Sequence, residues 1–212
     1  MTLRVLLTGF DPFRGALHNP SGDAARALDG LRIAASSGGA SRDAQVIGRV
    51  LPVIWDVASA EIQALVRSVR PHVAICLGMA QATYRVERLA DDARRPSEDN
   101  AGRLPAPVRE APTVRLATRL PVARIEAAIA AAGGPVEPSE DAGGFLCNEV
   151  FLALLRAWHV GVAPLRAGFI HVPNDKHVPD PIPQASVDAS ILAALQATLD
   201  DLRDDELPGT PA

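Results

Sequence analysis

Short apolar runs alternate with amphipathic segments along most of the chain. The runs LRVLLTGF (3–10), QVIGRVLPV (45–53), PHVAICLG (71–78) and LRAGFIHVP (165–173) predict buried strands. Helices are predicted after a capping Asp56, where an apolar stripe runs from Val57 to Val69, from Pro121 to the glycine pair 133–134, and over Ser186–Leu202. Strands that alternate with helices predict an α/β sheet covered on both faces, in a single domain of residues 1–212.

Three segments depart from this alternation. Residues 34–43 (AASSGGASRD) are rich in Gly and Ser and predict a loop, and residues 204–212 predict a flexible tail. The segment Ala90–Pro112 is charged, rich in proline and without apolar periodicity. A connection of this length inside a compact domain is often a lid or a substrate-binding loop, so residues 90–112 are expected to be one. A disordered excursion is the alternative.

The composition is that of an ordinary globular protein. Of 212 residues, 48% are apolar and 22% charged, and the net charge of −4 comes from interspersed signs. This excludes a disordered chain and offers no basic face for nucleic acid. No run of about 18 apolar residues is present to span a membrane, and the chain reaches Gly9 and Asp11 too early for a signal peptide. A cytoplasmic protein with reduced cysteines is expected.

One of the two cysteines lies where a glycine pair meets a helix-like run, in GGFLCNEVFLALLRAW (143–158). Unpaired backbone N–H groups at a helix N-terminus favour negative charge, so Cys147 is placed where a thiolate nucleophile gains stability. The other, Cys76, lies inside an apolar strand run and is expected to be a small core residue.

The residues that follow the predicted strands supply partners for this thiol. Ligands of open α/β sheets bind beyond the carboxyl ends of the strands. The last strand carries His171, and Glu87 lies on an alternating segment just past the third strand. Thiol, imidazole and carboxylate would make a nucleophile, a base and an orienting group. The alternatives are a core histidine and a surface charge. His171 and His177, with Asp175 between them, match no metal-binding spacing, so no metal is expected.

The few aromatic residues gather near the same places. Three of the five phenylalanines, Phe10, Phe13 and Phe145, lie close to the first strand end or to the thiol. They suggest an apolar slot for a small flat group, with packing under the loops as the alternative.

Four separated motifs occur in a fixed order: GFDPFRGALHNPS (9–21), TRLPVARIEAAI (118–129), GGFLCNEVF (143–151) and GFIHVP (168–173). Together they resemble the pyroglutamyl peptidase type I family, also called pyrrolidone carboxyl peptidase, over most of the chain. The resemblance implies a three-layer α/β/α domain of the phosphorylase/hydrolase-like kind, with a central twisted, mostly parallel (mixed) sheet. It also implies a homotetramer that removes N-terminal L-pyroglutamate from peptides without metal or cofactor.

The resemblance further assigns roles to single residues. Cys147 would be the nucleophile, His171 the base and then the acid, and Glu87 the group that holds the imidazole. The implied substrate-binding residues are Phe10, Phe13, Asn19 (which braces the first loop), Phe145, Leu146, Met79 and Arg94.

The chain departs from the family pattern at a few positions. Met79 stands where the family has glutamine, Arg14 displaces a glycine of the first loop, and a shortened approach leaves Arg94 and Arg95 as alternatives for the family's lid arginine. These departures keep two other functions open: a repurposed or non-catalytic relative that binds a lactam-like ligand, and an amidase acting on small amides.

Overall fold

The apolar runs form strands of a six-stranded sheet in the computed structural model, which describes residues 2–37, 40–79, 82–158, 164–173 and 182–203. The strands are β1 (Leu3–Phe10), β2 (Arg32–Ser37), β3 (Ala40–Leu51), β4 (Val73–Met79), β5 (Arg85–Glu87), β6 (Leu89–Asp91), β7 (Arg115–Ala117) and β8 (Arg166–Val172). The helices are α1 (Pro20–Ala27), α2 (Val57–Val69), α3 (Val122–Ala131), α4 (Leu146–Trp158) and α5 (Gln184–Leu199).

The sheet is mostly parallel, as predicted. Its strand order is β2-β3-β1-β4-β8-β5. The four central strands, β3, β1, β4 and β8, run parallel to one another, whereas β2 and β5 pair antiparallel with them at the two edges. Strands β6 and β7 pair separately as a short antiparallel ribbon.

Helices cover both faces of the sheet and give it three layers. Helices α1, α3 and α5 bury apolar side chains in one cluster with one face of the central strands. Helices α2 and α4 bury theirs in a second cluster on the other face. The predicted three-layer α/β/α architecture is therefore confirmed.

Strand β4 shows how the two faces are divided. Ile75, Leu77 and Met79 contact the cluster under α1, α3 and α5, whereas Cys76 belongs to the cluster under α2 and α4. This follows from the two-residue period of a strand. Cys76 is buried and free, as predicted.

The predicted helix after Asp56 is present as α2, but its start differs from the prediction. Asp56 adopts φ 65° and its side chain makes no capping hydrogen bond, because it binds Arg94 instead. Val57 is 43% exposed, so the buried stripe consists of Ala58, Ile62 and Val66.

The predicted loop at residues 34–43 is wrong. Its two halves lie in β2 and β3, which pair antiparallel with Arg32 opposite Gln45 and Ser37 opposite Ala40. Backbone pairing at a sheet edge needs few apolar side chains, so the Ser-rich composition hid these strands. Residues 204–212, and with them the predicted flexible tail, lie outside the described residues, as do Asp175 and His177. Among the described helices, none has the length and apolarity to cross a bilayer.

Helix α1 was not predicted, because it packs through small residues. Asn19 caps it by accepting a hydrogen bond from the Ser21 N–H, and Pro20 occupies the first turn. The helix lies so close to β3 that a Cβ on Gly48 would come 1.9 Å from the Ala25 carbonyl oxygen.

Gly48→Ala is expected to destabilise the fold by more than about 3 kcal/mol, because backbone must move to accommodate the new methyl group. The matched control is Gly102→Ala, where nothing lies within 4 Å but φ is +71°; only the conformational cost of about 1–2 kcal/mol is expected there. Urea unfolding of both variants measures the difference. Equal losses would contradict the close approach of α1 to β3.

Candidate active site

The geometry of the site begins with a buried contact between β5 and β8. The Nδ1 atom of His171 lies 2.7 Å from Oε1 of Glu87. Glu87 is fully buried and His171 is 5% exposed. In the antiparallel register Glu87 stands opposite Phe169, one diagonal step from His171 on the same face. The alternative of a surface charge at Glu87 is therefore wrong, because the carboxylate points into the interior.

The thiol approaches the same imidazole from α4. Cys147 is the residue that most strongly raises the pKa of His171, so its sulfur lies near the imidazole, and since Nδ1 faces Glu87, Nε2 is the nitrogen left for the sulfur. Gly78 stands opposite His171 in β4. A Cβ on Gly78 would lie 2.8 Å from the Cys147 sulfur. A glycine at this position therefore provides the space that the sulfur occupies.

The environment of His171 stabilises its protonated form. Burial lowers the pKa of His171, but the hydrogen bond and charge of Cys147, followed by those of Glu87, outweigh it and raise the pKa to about 9. An imidazolium between a thiolate and a carboxylate is favoured by both neighbours.

Ser139 fixes the second oxygen of the carboxylate. Its Oγ donates to Oε2 of Glu87 at 2.6 Å, and its carbonyl accepts from the Arg88 N–H. Both oxygens of this buried carboxylate are thus hydrogen-bonded, which offsets its desolvation. No sequence pattern singled out Ser139, because it lies in an irregular segment 52 residues away.

The thiol occupies the first turn of α4. Cys147 is the second residue of the helix, and Glu149 N–H is already bonded to the Phe145 carbonyl. N–H groups of a first helical turn have no partner within the helix and favour negative charge. The position of Cys147 at a helix N-terminus is as predicted.

The residue after the thiol ties α4 to the segment that follows β5. Asn148 is 1% exposed. Its Oδ1 accepts from the Asp91 N–H at 2.9 Å, and its Nδ2 donates to the Asp91 and Ala93 carbonyls. The start of the predicted lid segment is thereby held against the nucleophile helix.

An aromatic group lies beside the thiol. The Phe13 and Phe145 ring centroids are 5.0 Å apart, and Trp55 meets Phe145 edge-on at 5.1 Å. Phe10 and Leu146, both buried, belong to the same apolar cluster. A flat ring bound between Phe13 and Phe145 would need a contact of about 3.5 Å on each side, so the two phenyl rings would have to stand about 7 Å apart. At a centroid distance of 5.0 Å they contact each other directly and leave no space for a ring in this structure.

Trp55 is a site residue that the sequence analysis missed. Its backbone N–H donates to Asp99 at 3.0 Å and its indole Nε1 donates to the Ser97 carbonyl at 2.9 Å. Only its position directly after the predicted strand 45–53 could have indicated it.

Asn19 lies at the first loop, as predicted. Its Nδ2 donates to the Asp11 carbonyl, and its Oδ1 accepts from the Ser21 N–H and hydroxyl. All of these contacts are within the loop and α1, which agrees with a bracing function.

Met79 ends β4 with its side chain on the far face of the sheet. It packs against the cluster under α1, α3 and α5, whereas Gly78 faces the thiol. Only the backbone of Met79, and not its side chain, is therefore available to the site.

The two candidate lid arginines point to different places. Arg94 donates to Glu149 at 2.8 Å and to Asp56 at 2.5 Å, in the wall of a separate cavity of about 220 Å³. Burial raises the pKa of Glu149 to about 7, while the charge of Arg94 opposes this shift. Arg95 instead packs its side chain against Gly144, and its N–H donates to the Gly144 carbonyl. Arg95 is therefore nearer the turn that precedes the thiol.

Within the described part of the chain, no group of three or more His, Cys, Asp or Glu side chains is arranged to hold a metal ion.

Comparison with known proteins agrees with this geometry. The chain matches the family model described as pyroglutamyl peptidase over residues 3–201. It is 43% identical over 180 residues to a pyrrolidone-carboxylate peptidase of Gloeobacter violaceus, covering 81% of this chain and 82% of that protein. It is 36% identical to the Pyrococcus furiosus protein of the same name, covering 85% and 84% of the two chains.

The fold agrees as well. A solved structure of a mutant pyrrolidone carboxyl peptidase from the hyperthermophile Pyrococcus furiosus superposes with a TM-score of 0.82 at 30% identity, covering 94% of this chain and all of that one. Over the part of the chain that the structure describes, the match to the family model spans the five helices and eight strands given above. The chain belongs to the pyroglutamyl peptidase family.

Proposed function

We propose that this protein is a pyroglutamyl peptidase, a cysteine exopeptidase that hydrolyses the amide bond after an N-terminal L-pyroglutamate of peptides. The observation that carries the proposal is the continuous contact from Glu87 through His171 to Cys147, in a chain of the family whose relatives are named for this activity. Such a contact chain can activate a sulfur nucleophile.

In the first half of the reaction, the Cys147 sulfur attacks the pyroglutamyl carbonyl carbon. The thiol proton has passed to His171, whose imidazolium Glu87 stabilises. The carbonyl π electrons move to oxygen and form a tetrahedral intermediate. The Cys147 backbone N–H, in the first turn of α4, is available to that oxyanion.

In the second half, His171 gives its proton to the departing amine as the C–N bond breaks, which leaves a thioester on Cys147. Neutral His171 then takes a proton from the water that attacks the thioester. Collapse releases pyroglutamate and expels the Cys147 sulfur as a thiolate beside the protonated His171, which is the pair that began the reaction. No metal or cofactor enters these steps.

Phe10, Phe13, Phe145 and Leu146 are proposed to contact the pyrrolidone ring. Because Phe13 and Phe145 are closed on each other, one ring must move. Phe13 belongs to the irregular segment between β1 and α1, whereas Phe145 is flanked by Trp55 and α4. We therefore expect the Phe13 ring to be the one that moves. An ordinary α-ammonium group would be desolvated in this apolar site without a partner, which selects for the uncharged lactam.

Met79 stands where the family has glutamine, and we propose that it contacts the lactam through its backbone. With the Met79 side chain packed on the other face of the sheet, a backbone contact to the lactam is kept and a side-chain contact is not needed. Asn19 supports the same end of the site by bracing the first loop.

The segment Ala90–Pro112 is proposed to cover the site as a lid or substrate loop of the single catalytic domain. Asn148 anchors its beginning, and Asp99 and Ser97 hold the Trp55 backbone and indole. Arg94 also anchors this segment to α4, through its hydrogen bond to Glu149.

A homotetramer in a reducing, cytoplasmic compartment is proposed for the assembled enzyme. Both cysteines are free thiols in the described structure, which suits a compartment that disfavours disulfides. The tetramer comes from the family resemblance.

The proposal is tested by the release of a chromophore from a pyroglutamyl amide. The purified protein is expected to turn it over, and Cys147→Ser is expected to lose at least about 10³-fold in kcat, because an alcohol beside this base is a far weaker nucleophile. Cys76→Ser is the matched control. Tight lactam binding without turnover would favour a non-catalytic relative, and turnover of other small amides alone would favour an amidase.

The raised pKa of His171 sets the alkaline limit of activity. The imidazolium that protonates the leaving amine is present below its pKa and lost above it, so kcat/KM is expected to fall above about pH 9. Glu87→Gln removes a charge that raises the pKa of His171. The alkaline limb of the pH profile, where kcat/KM falls, should therefore move to lower pH by about one unit or more.

Ser139→Ala keeps the Glu87 charge and should move the alkaline limb less than Glu87→Gln does. A pH profile of kcat/KM on a pyroglutamyl amide measures both variants. An alkaline limb that stays in place in Glu87→Gln would show that Glu87 does not act on His171.

A further inference from the structure

A cavity of about 520 Å³ opens beside the aromatic group, at Phe13. The first loop forms one wall with Phe13 and Arg14, and the lid segment forms the other with Pro96, Ser97 and Glu98. Phe13 lies both in this wall and against Phe145, two residues before the thiol. The volume is typical of a ligand site, and the catalytic steps above leave it unused.

Arg14 dominates the first wall. Its guanidinium carbon lies 5.0 Å from the centre of the Phe13 ring, a cation–π contact. Its Nη2 donates to the Ser97 hydroxyl at 3.0 Å and so bridges the two walls. Arg14 adopts φ 52°, a conformation that glycine adopts at lower cost. The side chain is thus fixed over the ring at a place where its backbone favours glycine.

Two acidic residues also line the cavity, and they differ. Asp99 is 6% exposed and accepts from the backbone N–H groups of Trp55, Ala101 and Arg103 and from the Arg103 guanidinium. Its charge is compensated. Glu98 is exposed, and among the contacts of the described residues its carboxylate has none. The uncompensated charges that face the cavity are therefore the cation of Arg14 and the anion of Glu98.

We propose that this cavity receives the residue that follows pyroglutamate and that Arg14 makes the enzyme prefer a carboxylate there. This inference rests on the proposed function. Arg14 lies on the Phe13 ring, which contacts Phe145 two residues before the thiol, and a guanidinium binds a carboxylate through paired N–H donors. The carboxylate is either an Asp or Glu side chain or the C-terminus of a pyroglutamyl dipeptide. The negative charge of Glu98 repels the same carboxylate and so reduces the preference for an acidic residue.

The test compares kcat/KM on two substrates of nearly the same shape: pGlu-Glu-amide, which has a free side-chain carboxylate, and pGlu-Gln-amide, which has a neutral side-chain amide. The wild-type ratio of the first to the second is expected at about 2- to 5-fold, the range of partly exposed ion pairs. Arg14→Gln is expected to bring the ratio to one or below. Arg14→Lys keeps the cation at the same strained backbone position and should retain a ratio above one.

Glu98→Gln is the control of opposite sign and should raise the ratio. Comparing pGlu-Gln with pGlu-Gln-amide in the same variants measures the C-terminal carboxylate separately, and an Arg14-dependent preference in either pair supports the proposal. Ratios unchanged between wild type and Arg14→Gln in both pairs would overturn it. Each ratio is internal to one variant, so a general loss of activity does not mimic the effect.

Failure of the proposed function has a different signature. A wild-type protein that hydrolyses neither pGlu-Gln-amide nor pGlu-Glu-amide would refute the peptidase and the subsite with it. A wild-type protein that hydrolyses both substrates, with a ratio insensitive to Arg14, would refute the subsite alone.

Discussion

The structure of the site depends on a carboxylate buried under a sheet edge. Glu87 is fully buried, and an isolated ionised carboxylate there would be unfavourable by several kcal/mol. Its contact with His171 at 2.7 Å offsets that cost. The two residues can meet because β5 is antiparallel to β8 and places both on the face that packs on α4. Gly78, beside His171 in β4, leaves that face open for the sulfur of Cys147. One face of three neighbouring strands thus brings the three groups together.

The proposed lid segment, residues 90–112, is held by the same helix that carries the nucleophile. Asn148 binds the backbone at Asp91 and Ala93, and Glu149 binds Arg94. Both anchors directly follow Cys147 in α4. A shift of α4 would therefore move the sulfur and the lid together. Buried amide contacts of this kind cost about 1–3 kcal/mol when one partner is removed, so the coupling between lid and nucleophile is stronger than surface contacts alone would give.

The sequence predicted the parts of the fold that apolar periodicity controls. Strands β1, β3, β4 and β8 and helices α2, α3 and α5 follow from buried runs and stripes, and the thiol at a helix start follows from two glycines before an apolar segment. Features that depend on long-range packing were not predictable. Trp55 and Ser139 act through partners 42 or more residues away, and β2 is held by backbone pairing. Arg94 was assigned from the family resemblance, with Arg95 as the alternative, and a resemblance between sequences does not determine that its guanidinium turns toward Glu149.

Five side chains contact one another in succession and form a column: Arg14, Phe13, Phe145, Trp55 (edge-on to Phe145) and Arg94. The column is rigid at one end, because Trp55 is held by its backbone N–H, its indole N–H and a carbonyl that accepts from Arg103. Phe145 is fixed between Trp55 and α4. At the other end, Phe13 and Arg14 belong to the same short loop. A ring that enters between Phe13 and Phe145 must therefore displace the loop that carries Arg14. The proposed entry of the lactam and the proposed recognition of the next residue therefore both involve the loop that carries Phe13 and Arg14.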